Sequence, residues 1–249
     1  MKILIATSTT DFDPTEVAVP WKLLSEAGHD VHFATDTGEM GAADPHMLEG
    51  KYFGIWTKLL IAREDARDAY AEMLEDTAFQ NPMGYDAIKV TGFDGLLLPG
   101  GHAEGVKPYM ESEVLRAHIV DFFTADKPVG AICHGVVTAC RAINPETGKS
   151  VLFGRKTTAL LKRQEMVAYN LTKALMNEYY RTYPTSVQEE VMAALEAPSD
   201  FHTGKNPMRR DMPNKLKRGF VVKDGNYVSA RWPGDIYNFT NAFMDLLTD

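Results

Sequence analysis

The chain has 249 residues, 45% of them hydrophobic and 24% charged, which is enough apolar content for a sizeable core and too much for a disordered chain. Its 34 acidic and 26 basic side chains leave a formal charge of −8, which opposes binding to nucleic acid or anionic lipid. No fixed-period repeat and no run approaching the ~18 apolar residues of a membrane span is present. We therefore expect one domain over residues 1–249, with no nucleic-acid or membrane partner and, lacking an export signal, a cytoplasmic location.

The predicted elements begin with a strand at Lys2 to Thr7, too short and too soon polar for a signal sequence. Asp13-Pro14-Thr15-Glu16 then reads as a helix start, with Asp13 as N-cap, Pro14 at the first helical position and Glu16 as capping-box partner. The helix runs from Thr15 to Ala27, Gly28 closes it, and a second strand spans Asp30 to Thr35. Between residues 36 and 89 the strand rhythm stops. Glycines give way to a helical pattern from about Thr57 to Asp76, carrying Leu60, Ala62, Ala66, Ala69, Tyr70 and Met73, which we read as an insertion.

Asp94 to Leu98 forms the next apolar strand, ending in the turn Pro99-Gly100-Gly101-His102, and Ser112 to Thr124 is an amphipathic helix. Pro128 to Ile132 is a buried strand running straight into Cys133 and a helical stretch to Ala142. A further strand is predicted at Val151 to Thr158. Helices follow at Arg163 to Arg181 and Thr185 to Leu195, within a second insertion over 163–215. Gly219 to Val222 and Asn226 to Ala230, joined by Asp224-Gly225, form a C-terminal hairpin, and a helix from Asp235 to Leu247 ends the chain. The alternation predicts an α/β fold with a largely parallel, doubly wound, flavodoxin-like sheet covered on both faces.

In such sheets active groups gather beyond the carboxyl ends of the strands. Three features meet that edge: Glu16, the Pro99 to His102 turn, and Cys133-His134. Cys133 lies on a strand-to-helix turn, where backbone N–H groups and a helix dipole favour a thiolate, so the sequence predicts a lowered thiol pKa and a nucleophile. The His134 side chain is expected to point elsewhere on the turn, its N–H and that of Gly101 are candidate oxyanion donors, and either His134 or Glu16 is the candidate catalytic proton relay, the choice between them staying open. Glu16, buried near the thiol, would stay protonated and donate to sulfur or pass protons. Cys140 reads as helix packing, and seven residues of helix separate it from Cys133 by roughly 10 Å, too far for a disulfide. The basic cluster Lys205, Arg209, Arg210, Lys215, Lys217 and Arg218 reads as solvated surface. No metal and no cofactor is called for.

Taken together, Lys2 to Thr7, Glu16-Val17-Ala18-Val19-Pro20, Leu96 to His102 and Ala131-Ile132-Cys133-His134-Gly135 resemble the ThiJ/PfpI superfamily of class I glutamine-amidotransferase-like folds. The length and the first insertion are similar to the larger subgroup of glutathione-independent glyoxalases, also described as stress chaperones and deglycases. The resemblance implies a cofactor-free enzyme acting on small reactive carbonyls such as methylglyoxal, and a homodimer. It also implies an acidic residue about thirty positions after the cysteine that orients the histidine, for which Glu165 is the best match. Here Leu160-Leu161 and Gln164 replace the aromatic residue and paired acids usual there. Two rival functions stay open: hydrolysis or hydration of a carbon–nitrogen bond by the same nucleophile, and a redox-responsive chaperone or sensor in which Cys133 is oxidised.

Overall fold

The structure is a computed structural model describing residues 1–205 and 208–248, so part of the 163–215 segment lies outside the described residues. Its centre is a seven-stranded sheet of β1 (Lys2–Ala6), β2 (Asp30–Thr35), β3 (Met83–Gly84), β4 (Gly95–Leu98), β5 (Val129–Ile132), β6 (Val221–Asp224) and β7 (Tyr227–Ala230). The order is β6-β7-β5-β4-β1-β2-β3, and every pair is parallel except the β6–β7 hairpin. This is the doubly wound, flavodoxin-like arrangement. β4, β5 and β7 are buried at every position, as strands covered on both faces must be, which explains the unbroken apolar runs of β4 and β5; in β7 the buried Ser229 hydroxyl is satisfied by Thr157 and Thr158.

The succession β2-β1-β4 means that the chain leaves β1 to one side and later returns on the other. That reversal opens a crevice beyond the carboxyl ends of β1 and β4. Helix α1 (Pro14–Glu26) starts there, capped by Asp13 Oδ1, which accepts N–H bonds from Thr15 and Glu16. It packs against α2 (Glu64–Met73) and the C-terminal helix. The remaining longer helices are α3 (Glu113–Thr124), α4 (Gly135–Cys140), α5 (Lys162–Met176), α6 (Val187–Ala194) and α7 (Ile236–Thr248).

Several elements differ from expectation, each for a local reason. The helix expected over 57–76 breaks at Ile61 to Arg63, because the N–H of buried Ala62 goes to the Met47 carbonyl and the backbone on either side of it, at Ile61 and Arg63, is extended. The strand expected at Val151 to Thr158 is a run of turns. Lys149–Ser150 pairs instead with Ile143–Asn144, Gly154 takes a positive φ, and only Thr157 bridges, to Phe201. The first long helix of the second insertion ends at Met176, since Asn177 adopts a left-handed φ of 49° and turns the chain back. The hairpin turn is Gly225-Asn226, one residue later than expected. Segment 36–89, expected to lack strands, contributes β3, which extends the central sheet.

That reversal at Asn177 has a structural use. Met47 and Phe53 from the first insertion and Tyr180 from the second form a small separate core, with Tyr179 hydrogen-bonded to Asp44, so the two insertions meet over the crevice. The end of β7 is pinned by Arg231, whose fully buried guanidinium makes two 2.8 Å bonds to Asp235 and bonds the Thr203 and Lys205 carbonyls. The basic cluster divides: Lys205, Arg209, Lys217 and Arg218 line an outer groove, whereas Arg210 turns inward over Trp232. Burial lowers the Arg210 pKa, so that member is not solvated surface.

Candidate active site

Cys133 follows β5 directly and sits at φ 56°, a left-handed conformation that costs a non-glycine residue about 1–3 kcal/mol and projects its side chain off the strand end. The turn is tight enough to dictate its neighbours. A Cβ on Gly135 would fall 1.9 Å from the Leu98 carbonyl oxygen, and one on Gly100 would fall 2.7 Å from the His134 nitrogen. Both glycines are therefore required where the β4 and β5 loops press together.

Glu16 is not a capping-box partner. The Asp13 N–H donates to the Gly100 carbonyl instead, and the Gly100 N–H donates back to Glu16 Oε2 at 2.8 Å, so the carboxyl bridges α1 to the glycine turn. It also contacts the Cys133 thiol. Burial, reinforced by Asp13, pushes the Glu16 carboxyl well above the usual carboxylate range, which favours its protonated form. Asp13 is itself raised to about 6 by burial.

The predicted lowering of the thiol pKa is not found. Cys133 is wholly buried, and burial, with Glu16 and Asp13 adding, pushes the thiol well up. The helix that follows has six residues, and its terminus does not outweigh this environment. The resting site holds a thiol.

The His134 side chain also departs from expectation, because its Nδ1 lies 3.5 Å from Cys133 Sγ. Its Nε2 lies 3.4 Å from Thr182 Oγ1, and that hydroxyl donates to the His102 carbonyl. With its proton committed, Thr182 can only accept from His134. The imidazole therefore carries its proton on Nε2 and aims the Nδ1 lone pair at the thiol. Burial, with His102 and Arg141, holds His134 well below the usual histidine range, so it is a neutral base.

Glu165 stands apart from this pair. It is buried in the first turn of α5, where Oε2 accepts the Val187 N–H at the start of α6, and burial raises it to about 7. The group on His134 Nε2 is Thr182 rather than an acid. Gly101 is buried in the glycine turn beside the elbow. Cys140 is unpaired inside α4, and burial raises it to about 12.

A cleft lies beside the site, lined by Asp13, His102, Glu165, Leu160, Tyr180 and Trp232 among others, and Cys133 is buried behind this lining rather than part of it. His102 links cleft and nucleophile. Its ring makes edge contacts with His134 at 5.1 Å and Tyr180 at 4.9 Å, and burial lowers it to about 4. The ligand atoms of His102, Cys133 and His134 all lie within 4.8 Å of one another, a group among the described residues that could hold a metal ion. Asp13 was read from sequence only as a cap and His102 only as part of a turn, whereas Thr182 carried no local signal.

A family model described as ThiJ/PfpI family-like matches residues 7–200. The chain belongs to the ThiJ/PfpI family. It is 26% identical to the deglycase PfpI of Pyrococcus furiosus over 99% of both chains. To the glutathione-independent glyoxalase hsp3101 of Schizosaccharomyces pombe it is 25% identical, over 78% of this chain and 80% of that one. The crystal structure of glyoxalase III from Candida albicans superposes with a TM-score of 0.70 at 15% identity, over 99% of this chain and 97% of that one. As a ThiJ/PfpI member the chain is similar to named enzymes along nearly its whole length. No helix among the described residues is long and apolar enough to cross a membrane.

Proposed function

We propose that this ThiJ/PfpI protein is a cysteine-dependent, glutathione-independent enzyme that converts small 2-oxoaldehydes to 2-hydroxy acids. The observation that carries the reading is the Cys133 thiol lying between the Glu16 carboxyl, whose protonated form burial favours, and His134 Nδ1, 3.5 Å away, with His102 linking this group to a neighbouring cleft. The relatives named glyoxalase support it.

His134 Nδ1 accepts the thiol proton as Sγ bonds to the aldehyde carbon, giving a hemithioacetal whose oxygen is met by the N–H groups of Gly101 and His134. The aldehyde carbon then loses its hydrogen as a proton, and the adjacent carbonyl carbon gains one by way of an enediol. The first carbon is oxidised and the second reduced, so no external oxidant or cofactor enters. Water hydrolyses the resulting thioester, releases the hydroxy acid and restores the thiol. Glu16, as a neutral acid, donates to sulfur while it carries charge.

Methylglyoxal incubated with the protein in the absence of glutathione should yield lactate, and Cys133→Ala should abolish it. Wild-type protein that forms no hydroxy acid would refute the reading. The match to a named deglycase over 99% of both chains favours one alternative at the same thiol, release of an amine from a glycated substrate. Amine appearing without hydroxy acid from the free oxoaldehyde would select it.

A further inference from the structure

We propose that His102, Cys133 and His134 form a binding site for one thiophilic transition-metal ion of the zinc(II) class, which occupies the nucleophile and blocks it. All three residues are buried, and their ligand atoms lie within 4.8 Å of one another. A tetrahedral zinc ion with Zn–S near 2.3 Å and Zn–N near 2.0–2.1 Å holds a sulfur and a nitrogen roughly 3.6 Å apart. Cys133 Sγ and His134 Nδ1 are 3.5 Å apart. Two ligands are thus already spaced for the ion, and a His102 side-chain movement of about 1 Å brings in the third.

The catalytic reading explains the cysteine–histidine pair but leaves His102 without a task. The surroundings of the three residues have the features of a metal site. A histidine that ligates through one ring nitrogen usually donates its other N–H to a neighbouring acceptor, which fixes the ring. His134 does this through Nε2 and Thr182, and the same hydroxyl bonds the His102 carbonyl, so one side chain ties together the two loops that carry all three ligands. His102 also lines the neighbouring cleft, so one of the three ligands borders solvent-accessible space. Two imidazoles and a thiolate select zinc, cobalt or cadmium over magnesium and calcium. On binding, the Cys133 S–H proton leaves to solvent as the sulfur–metal bond forms, with no change of oxidation state.

The test is titration of the metal-free full-length protein with cobalt(II) under anaerobic conditions. One equivalent should produce a thiolate-to-cobalt band in the near ultraviolet and intense tetrahedral bands in the visible, both removed by stoichiometric zinc and untouched by excess magnesium. Cys133→Ser should lose the near-ultraviolet band, Cys140→Ser should keep it, and His102→Gln should weaken binding at least about tenfold. Thr182→Val should weaken it ~10–100-fold, the usual effect of removing a ligand's supporting hydrogen bond. Circular dichroism would show that each variant is folded. A featureless titration, a band that follows Cys140, or unchanged affinity in His102→Gln would overturn the assignment. None of these readouts depends on turnover, so a protein inactive toward oxoaldehydes would still test the metal site.

Discussion

Thr182→Val replaces a hydroxyl by a methyl of similar size at the position that fixes the His134 tautomer. The perturbation has two separable consequences. The His102 carbonyl loses its donor within a buried site, which costs about 1–3 kcal/mol of folding stability. His134 Nε2–H loses its acceptor, and with it ~1 kcal/mol of preference for the tautomer whose Nδ1 faces the thiol. Because 1.4 kcal/mol corresponds to a factor of ten, deprotonation of Cys133 should slow by roughly 3–10-fold. The assay is the rate of Cys133 alkylation by iodoacetamide at neutral pH with a chelator present, followed by mass spectrometry, alongside urea denaturation. Thr182→Ser should restore the rate. The reasoning is refuted if Thr182→Val is alkylated as fast as wild type while losing the expected stability, or if the serine variant is equally slow.

Other perturbations probe the frame around the site. Gly135→Ala should cost more than ~3 kcal/mol or prevent folding, because its methyl would meet the Leu98 carbonyl at 1.9 Å, whereas Gly92→Ala, with open space around it, should be near neutral by the same urea measurement. Arg231→Met should lose about 3–5 kcal/mol by leaving Asp235 buried without its partner, and a variant that melts with wild type would show that the pair contributes little. The Glu165 carboxyl rises from 4.5 to about 7 on folding, so the native state holds a proton that the unfolded chain releases between those values. Its contribution is therefore most favourable below pH 4.5 and falls as pH rises to 7, by up to ~3 kcal/mol. Glu165→Gln, which keeps an acceptor for the Val187 N–H, should match wild type at pH 5 and exceed it in stability at pH 8, and identical melting curves at both would sink the argument.

The parts of the structure legible in the sequence were those in which local chemistry and burial agree. The Asp13 cap, the apolar runs of β1, β4 and β5, and the glycines around Cys133 each state their conformation within a few residues. The site was legible as far as its loops: Glu16, Gly101, Cys133 and His134 share one edge because the sheet topology puts them there. Its orientation was not. The turn of the His134 ring toward sulfur depends on Thr182, 48 residues away and delivered by a reversal at Asn177 that no residue pattern announces. The thiol pKa was misjudged for a related reason, since a helix terminus is visible in sequence whereas complete burial beside two carboxyl groups is not. The helix at 57–76 broke because helical periodicity persists across Ala62, whose backbone is needed by Met47.

The elbow also depends on the C-terminal part of the chain. The Cys133 N–H is bonded to the Ala230 carbonyl, β5 is flanked by β7, and the His134 ring is set by Thr182. During synthesis, therefore, the cysteine leaves the ribosome about a hundred residues before the strand that fixes its backbone. A nascent or truncated chain carries the thiol without the aligned base, the enclosing cleft or the strained turn. The elbow is assembled only once the strand at Tyr227–Ala230 has been made and paired, so an incomplete polypeptide carries the cysteine without its setting.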